Sequence, residues 1–144
     1  MKTTLENGCS CHTLARTHAF WGLEPAELLL VSQIVSEETM SPGDVLIREG
    51  EPESCLLILT EGMVRVMGRN GVVTELGDGA VVGEVALFDQ RPRTADVVAT
   101  SYGRYLRIPS LDLWFMLDKH PELGMKVLNN LGRVMAARIR SATM

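Results

Sequence analysis

The pattern of apolar and polar positions divides the chain into three parts, with helical spacing at both ends and short β-branched runs between them. After Glu24-Pro25, apolar side chains recur at helical intervals, and proline suits the first turn of a helix. This pattern predicts an amphipathic helix over residues 24–37. Residues 1–20 are polar and mixed, and we expect them to form an N-terminal tail with a first helix.

The middle of the chain, residues 42–109, has the pattern of a β-protein. Glycines interrupt it at short intervals, and Asn70-Gly71 lies between two apolar runs, where a tight hairpin turn needs a positive φ. Short strands at regular spacing predict a β-roll, also described as a jelly roll or double-stranded β-helix. The runs predicted as strands are Val45–Ile47, Leu56–Leu59, Val64–Val66, Val72–Val73 and Asp96–Val98.

The helical period returns in residues 110–142, which are predicted to form two C-terminal helices separated near Pro121. Arginines in the last turns suit the negative end of the helix dipole. The predicted fold is therefore mainly β with flanking N- and C-terminal helices, in a single domain over residues 21–144. Three bulky aromatic side chains in apolar stretches are expected in the core, namely Trp21, Trp114 and Phe115.

The composition fits a globular domain and disfavours several other classes of protein. A chain of 144 residues, 46% of them hydrophobic, is long enough to bury a core without disulfides. The net charge of -4 does not favour the coating of nucleic acid, which needs clustered lysine and arginine. No apolar run matches a membrane span or a signal peptide. Cys9, Cys11 and Cys55 form no paired framework, so we expect a reducing compartment, the cytoplasm.

Residues 83–95 combine the residue types that bind an anion. Gly83-Glu84 opens a stretch that favours a helical turn, whose first N–H groups lack internal partners. Gly83 has no side chain to keep a ligand away from the backbone. Arg93 offers a planar fork of donors that matches phosphate oxygens, and an ionised Glu84 accepts hydrogen bonds from a sugar hydroxyl. The segment therefore favours a ligand with both an anion and a hydroxyl, such as a ribose phosphate.

Each of these residues has a simpler interpretation when it is taken alone. A glutamate such as Glu84 near a helix start is commonly a capping residue, and glycines commonly form turns. Arg93 alone would commonly be a surface residue that pairs with Asp89 or Asp96. The occurrence of all these features in one short segment favours the ligand-binding interpretation.

The order Gly83-Glu84-Val85-Ala86-Leu87, a short loop and Pro92-Arg93-Thr94-Ala95 resembles the phosphate-binding cassette of the cyclic-nucleotide-binding domain family. That family includes the sensor domain of the bacterial catabolite activator protein, regulatory domains of cyclic-nucleotide-dependent kinases and gating domains of some channels. The resemblance extends from about Leu14 to Ile139 and includes three further segments, Pro42–Gly50, Leu56–Val66 and Leu76–Gly79.

The resemblance implies a role for each cassette residue. Glu84 would hold the ribose 2′-hydroxyl, and Arg93 would hold the cyclic phosphate together with the backbone N–H groups of Ala86 and Leu87. Thr94 is frequent in family members that prefer cGMP, whereas alanine or serine is frequent there in those that prefer cAMP. The implied ligand is cAMP or cGMP, with no metal and no other cofactor. The implied ligand-binding set is Gly83, Glu84, Val85, Ala86, Leu87, Arg93, Thr94 and Ala95.

The same resemblance implies a regulatory sensor module without catalysis of its own. In the family, a long C-terminal helix caps the base and often forms a dimer, and that helix would begin about where this chain stops. We expect an effector protein or a second copy of the chain to bind through the C-terminal helices. The family's transcription factors carry a helix-turn-helix domain after the sensor, and too few residues follow here to form one. Direct binding to DNA is therefore not expected, and no membrane is expected as a partner because no apolar run is long enough for a span.

Catalysis is the first alternative function. A metal-dependent enzyme on a β-roll needs several histidines and a carboxylate from the strands. His12, His18 and His120 all lie outside the β region. Cys55 lies in an apolar run that is typical of a core, so it is not expected to be a nucleophile.

Two further alternatives are a metal or redox sensor and a protein-interaction scaffold. The run from Cys9 to His12 offers three soft ligands, fewer than the four of a tetrahedral site, and a tail is the simpler interpretation. A scaffold would keep the fold without binding a nucleotide. The presence of both Glu84 and Arg93 argues against a scaffold.

Overall fold

The computed structural model describes residues 9–50, 54–68, 71, 73–83 and 95–143. Helices α1 (Cys9–Ala15) and α2 (Pro25–Ser32) come first, with a short 3-10 helix, His18–Phe20, between them. Helices α3 (Ser110–Lys119) and α4 (Pro121–Thr143) come last. The strands between are β1 (Ser36–Met40), β2 (Val45–Ile47), β3 (Cys55–Glu61), β4 (Val64–Gly68), β5 (Val73–Leu76), β6 (Val81–Val82), β7 (Ala95–Ala99) and β8 (Gly103–Pro109). The predicted fold class, mainly β with helices at both ends, is confirmed.

The strands form two four-stranded antiparallel sheets, with the orders β1-β8-β3-β6 and β2-β7-β4-β5. Four of the predicted runs lie within β2, β3, β4 and β7. Of the fifth, Val73 begins β5 and Val72 lies outside the described residues. The sequence pattern did not identify β1, β6 and β8. The predicted hairpin joins β4 to β5, and Gly71 there has a φ of +83°. Its partner in the turn motif, Asn70, lies outside the described residues.

The first long helix is shorter than the sequence predicted. The side chain of Glu27 accepts a hydrogen bond from the backbone N–H of Glu24 at 2.8 Å, which fixes the start of α2. The helix ends at Ser32, and Ser36–Met40 is strand β1, paired with β8. The prediction of a helix over 24–37 is therefore wrong at its C-terminal end, because pairing with β8 overrides the helical spacing there.

Strand β3 separates two apolar cores. Leu56 and Ile58 point into a cluster formed with the helices, and Leu57 and Leu59 point into a cluster between the two sheets. All four of these side chains are almost completely buried. A strand that is buried on both faces explains why its sequence is a continuous apolar run rather than an alternating one.

The residues before position 21 belong to the helical core. Leu14, Ala19 and Phe20 are completely buried, and they pack with residues of α2, α3 and α4. The described part of the predicted tail therefore helps to hold α4 in place.

The expectation that the bulky aromatics are buried is wrong for two of them. Trp114 packs against the helical cluster, but Trp21 is 64% exposed and Phe115 is 70% exposed. Helix α3 buries Leu113, Met116 and Leu117, so Phe115 lies on the face turned away from the core. No helix in the described part of the chain is long and apolar enough to span a membrane.

Candidate functional site

The structure describes both ends of the predicted site and not its middle. Gly83 and Ala95 are described, and the intervening residues 84–94 lie outside the described residues. The predicted site residues in that range are Glu84, Val85, Ala86, Leu87, Arg93 and Thr94. Their predicted roles stay predictions, and the structure describes the predicted site only at its two ends.

The two ends lie in different sheets. Strand β6 belongs to the first sheet and ends at Val82, while β7 begins at Ala95 in the second sheet. Gly83 follows β6 with a φ of +91°, a backbone conformation that residues with a Cβ rarely adopt. The predicted cassette therefore starts at a glycine-dependent bend and connects one sheet to the other.

The turn that leads into β6 is held firmly in place. The N–H of Gly79 donates to the carbonyl of Leu59 at 2.7 Å, and the N–H of Leu59 donates to the carbonyl of Ala80 at 2.9 Å. The carboxylate of Asp78 accepts a hydrogen bond from the N–H of Gly62 at 2.7 Å. The Gly77-Asp78-Gly79 motif thus braces the turns at one end of the roll, directly before the cassette.

At the other end of the cassette, the carboxylate of Asp96 is hydrogen-bonded to a backbone N–H group. One carboxylate oxygen of Asp96 accepts a hydrogen bond from the N–H of Glu49 at 2.6 Å. Asp96 is one of the two acidic residues that a surface-exposed Arg93 would pair with. Because this carboxylate holds the backbone at Glu49, Asp96 has a structural role that does not depend on Arg93.

A cavity of about 460 Å³ lies beside the first end of the cassette. Three separate parts of the chain line it: the 3-10 helix region with His18 and Trp21, the turn 76–81, and one face of α4. Ligand pockets in proteins are commonly of this size. Val81, on its wall, precedes Gly83 by two residues, so the cavity adjoins the predicted cassette.

The α4 face of the cavity carries amide and guanidinium groups. The residues that line it follow helical spacing, and they are Asn130, Arg133, Val134, Ala137 and Arg138. The buried amide of Asn130 donates to the carbonyls of Ala19 and Trp21, at 3.1 and 2.8 Å. The guanidinium of Arg138 donates to the carbonyl of Val81. Helix α4 is thus bonded both to the 3-10 helix region and to the strand that enters the cassette.

A second contact holds α4 to the N-terminal helices. The ammonium of Lys126 lies 2.7 Å from the carboxylate of Glu27, on α2. The hydrogen bond from Lys126 lowers the pKa of Glu27, and the N–H of Glu24 acts in the same direction. The same hydrogen bond raises the pKa of Lys126. Both groups therefore stay ionised at neutral pH, and the wall formed by α4 is fixed to α2.

Sequence patterns did not identify the residues that form the cavity. Trp21 was expected in the core, and His18 was noted only as lying outside the β region. The available signal was Asn130, a polar residue among the apolar side chains that α4 buries, because a buried amide needs hydrogen-bond partners.

The described residues include no group of three histidine, cysteine, aspartate or glutamate side chains placed to hold a metal ion. Cys11 packs against the helical cluster and Cys55 is buried between the sheets. The side chain of Cys9 lies outside the described residues.

Comparison with known proteins identifies the class. The family model of the cyclic nucleotide-binding domain matches residues 37–120, more than half of the chain. A cyclic nucleotide-gated potassium channel of Mesorhizobium japonicum is 34% identical over 111 residues, which are 77% of this chain and 31% of the channel. A CRP-like cAMP-activated global transcriptional regulator of Mycobacterium tuberculosis is 28% identical over 132 residues, covering 88% of this chain and 57% of the regulator.

Solved structures agree with the family model. A cyclic nucleotide-binding domain from Methylobacillus flagellatus superposes with a TM-score of 0.79 at 26% identity, over 92% of this chain and 77% of that one. The chain therefore belongs to the cyclic nucleotide-binding domain family, and it is a regulatory module of that class. It spans less than two thirds of the length of either relative.

Proposed function

We propose that this chain is a sensor that binds cAMP or cGMP through residues 83–95 and performs no catalysis. The observation that carries the proposal is the position of the cassette ends within a domain of this family. Gly83 leaves the first sheet with a positive φ, Ala95 enters the second sheet, and a cavity adjoins the bend.

In this proposal, the anion and the sugar of the ligand are held by different groups. Arg93 and the backbone N–H groups of Ala86 and Leu87 hold the cyclic phosphate, because a planar guanidinium and free N–H groups match its oxygens. Glu84 accepts a hydrogen bond from the ribose 2′-hydroxyl. Thr94 adds a hydroxyl beside the phosphate.

The signal leaves the site through α4. Arg138 joins α4 to Val81, and Val81 lies two residues before the cassette glycine, so a shift of the cassette is passed to the helix. Such a shift regulates an output only if the ligand binds one arrangement of α4 more tightly than another. We propose that the output is contact with an effector protein or with a second copy of the chain through the C-terminal helices.

Calorimetric titration with cAMP, cGMP and 5′-AMP tests the proposal. We expect saturable binding of a cyclic nucleotide and none of 5′-AMP. Loss of a buried bidentate arginine contact costs roughly 2–5 kcal/mol, so Arg93→Ala is expected to weaken binding by at least about thirtyfold. Arg93→Lys is expected to be nearly as harmful, because an ammonium lacks the planar fork of donors.

Two further variants test the role of Glu84 and control for the loss of a surface charge. Glu84→Ala should weaken binding of the ribonucleotides far more than binding of their 2′-deoxy analogues. Arg104→Ala, which removes an exposed arginine on β8, should bind as the wild type does. Absence of heat with every nucleotide, from a folded and nucleotide-free sample, would reject the sensor and support the alternative of a protein-interaction scaffold.

A further inference from the structure

We infer that the exposed face of α3 is a docking site for a basic amphipathic helix of an effector protein. The site consists of two apolar side chains, Leu111 and Phe115, with the carboxylates of Asp112 and Asp118 beside them. This inference deepens the proposed output, because it names the surface and the chemistry of the partner. It rests on the proposed function only for the coupling to a nucleotide, and docking itself is tested without one.

Leu111 and Phe115 form an apolar pair on the outer face of α3. They lie four residues apart, so their side chains are neighbours on the helix. Leu111 is 83% exposed and Phe115 is 70% exposed. Other residues, Leu113, Met116 and Leu117, form the side of α3 that faces the core. Since the packing of α3 does not use the outer pair, these exposed apolar neighbours favour contact with another molecule.

The charges beside the pair favour a cationic partner. Asp112 and Asp118 are both exposed, and no lysine or arginine in the described part of the chain forms an ion pair with either of them. The ammonium of Lys119 lies over the ring of Phe115 instead, 5.6 Å from its centroid. Two copies of this face would bring carboxylates together. The charges therefore favour a partner with lysine or arginine and disfavour a second copy of the same face.

The form of the partner follows from the backbone of α3. The N–H and C=O groups along a helix bond within it, so the side of α3 offers no backbone groups to an extended chain. A partner helix satisfies its own backbone groups and can place apolar side chains, three or four residues apart, against Leu111 and Phe115. An α-helix with one apolar face and basic flanks is therefore the partner that this surface fits.

Helix α3 is connected to the proposed signal path through α4. The N–H of His120 donates to the carbonyl of Met116 at 3.0 Å, and the carbonyl of His120 accepts from the N–H of Gly124 at 2.8 Å. A Cβ at Gly124 would lie 2.8 Å from the carbonyl oxygen of Leu117, so the two helices pack closely where they meet. Since α4 is bonded to Val81, a movement of α4 is passed on to the docking face. Docking and nucleotide binding are then coupled reciprocally.

Fluorescence anisotropy with a labelled model peptide tests the docking site on the full chain. The probe is a peptide of leucine and lysine, about fourteen residues or four turns long, with leucines at helical spacing. Its counterpart has glutamate in place of every lysine. We expect saturable binding of the leucine–lysine peptide that weakens as salt is added, and no binding of the leucine–glutamate peptide.

Substitution of the apolar pair locates the contact. Phe115→Ser should weaken binding of the leucine–lysine peptide by about tenfold or more, because the burial of a phenylalanine side chain is lost. The side chain is exposed in the free chain, so the variant is expected to fold as the wild type does. Tyr102→Ser is the matched control and should not change binding. Tyr102 is 76% exposed and precedes β8, at the end of that strand opposite to α3.

Substitution of the carboxylates tests the charge of the partner. The double variant Asp112→Asn, Asp118→Asn should weaken binding of the leucine–lysine peptide and reduce its dependence on salt. The double variant Glu61→Gln, Glu75→Gln removes the same number of charges from exposed positions elsewhere, and it should bind as the wild type does.

The outcomes separate this inference from the proposed function. Equal affinity for the two peptides, or peptide binding that Phe115→Ser does not alter, would overturn the docking site. A change in the sedimentation of the chain on Phe115→Ser would show that a second copy covers this face, and it would overturn the assignment of a basic partner. Failure to bind any cyclic nucleotide would reject the proposed function and leave the binding of the peptide in place.

Discussion

At the residue scale, Gly83 is held in a conformation with a φ of +91° at the start of the cassette. A side chain with a Cβ is strained there, by about 1–2 kcal/mol. We expect Gly83→Ala to lower the free energy of unfolding by that amount and to weaken cyclic nucleotide binding, since the bend that directs the cassette is disturbed. Urea denaturation and calorimetric titration measure the two effects.

Gly132 provides the control for this substitution. It lies within α4, and a Cβ built there meets no atom within 4 Å. Gly132→Ala should therefore raise the free energy of unfolding, by up to about 1 kcal/mol, because alanine favours the helix. Equal effects of the two substitutions would show that the φ of Gly83 does not constrain the cassette.

The chemical roles of single residues were the part of the site that the sequence predicted in most detail. The types and order of residues 83–95 suffice to predict a phosphate and ribose site, because those chemical groups are local to one segment. Trp21 was misassigned to the core, since helical spacing in the surrounding sequence does not reveal on which side of a short 3-10 helix a side chain emerges.

At the scale of elements, the contact between α2 and α4 makes the stability of the fold depend on pH. Lys126 and the N–H of Glu24 hold the pKa of Glu27 below its ordinary value of 4.5. Since the folded pKa is lower than the unfolded one, the stabilising contribution of Glu27 is complete above pH 4.5 and is lost as the pH falls through the folded pKa. The pKa of Lys126 is raised, so its contribution is lost only as alkaline pH deprotonates it.

Glu27→Gln should accordingly unfold at a lower urea concentration than the wild type at pH 7, and the difference should shrink as the pH falls below 4.5. Glu75→Gln is the control, because the Arg65–Glu75 pair at 3.2 Å is about half exposed and should contribute little. A difference for Glu27→Gln that stays constant from pH 7 to pH 3 would contradict this origin of the effect.

Elements were predicted well where the local pattern decides the structure, and poorly elsewhere. Strand β3 was identified because it is a continuous apolar run. Strand β1, with the sequence Ser-Glu-Glu-Thr-Met, carries mostly polar residues and is stabilised by its pairing with β8. Strand β6 has two residues, too few for any period to be detected.

At the scale of the whole molecule, α4 presents a second apolar stripe beside its buried face. Its side chains lie three, four or seven residues apart, which is the spacing of a coiled-coil seam, and they are Met125, Leu128, Met135 and Ile139. Met125 is 73% exposed and Ile139 is 64% exposed. The stripe is the part of α4 that we propose pairs with a second copy of the chain.

Sedimentation velocity at micromolar concentration tests this pairing. We expect the wild type to sediment as a dimer and Ile139→Glu as a monomer, because a carboxylate in an apolar seam is costly to bury. Asn129→Glu adds the same charge to an exposed position of α4 off the stripe, and it should stay dimeric. A monomeric wild type would reject the pairing.

The cavity could not be predicted from the sequence because it is a property of the whole molecule. Its walls come from residues near positions 20, 80 and 135, and the sequence does not specify how these segments pack. The cassette, in contrast, is one continuous segment, so its chemistry can be predicted from the order of its residues alone.

The contact between Arg138 and Val81 has a consequence for association between molecules. Among the described strands, β6 is at the edge of its sheet. The carbonyl of Ala80 bonds to β3, so the next carbonyl, that of Val81, faces away from β3. An unpaired strand edge is a template on which another chain adds a strand and aggregates. The guanidinium of Arg138 donates a hydrogen bond to that carbonyl. The side chain that links α4 to the cassette therefore also shields the sheet from edge-to-edge growth.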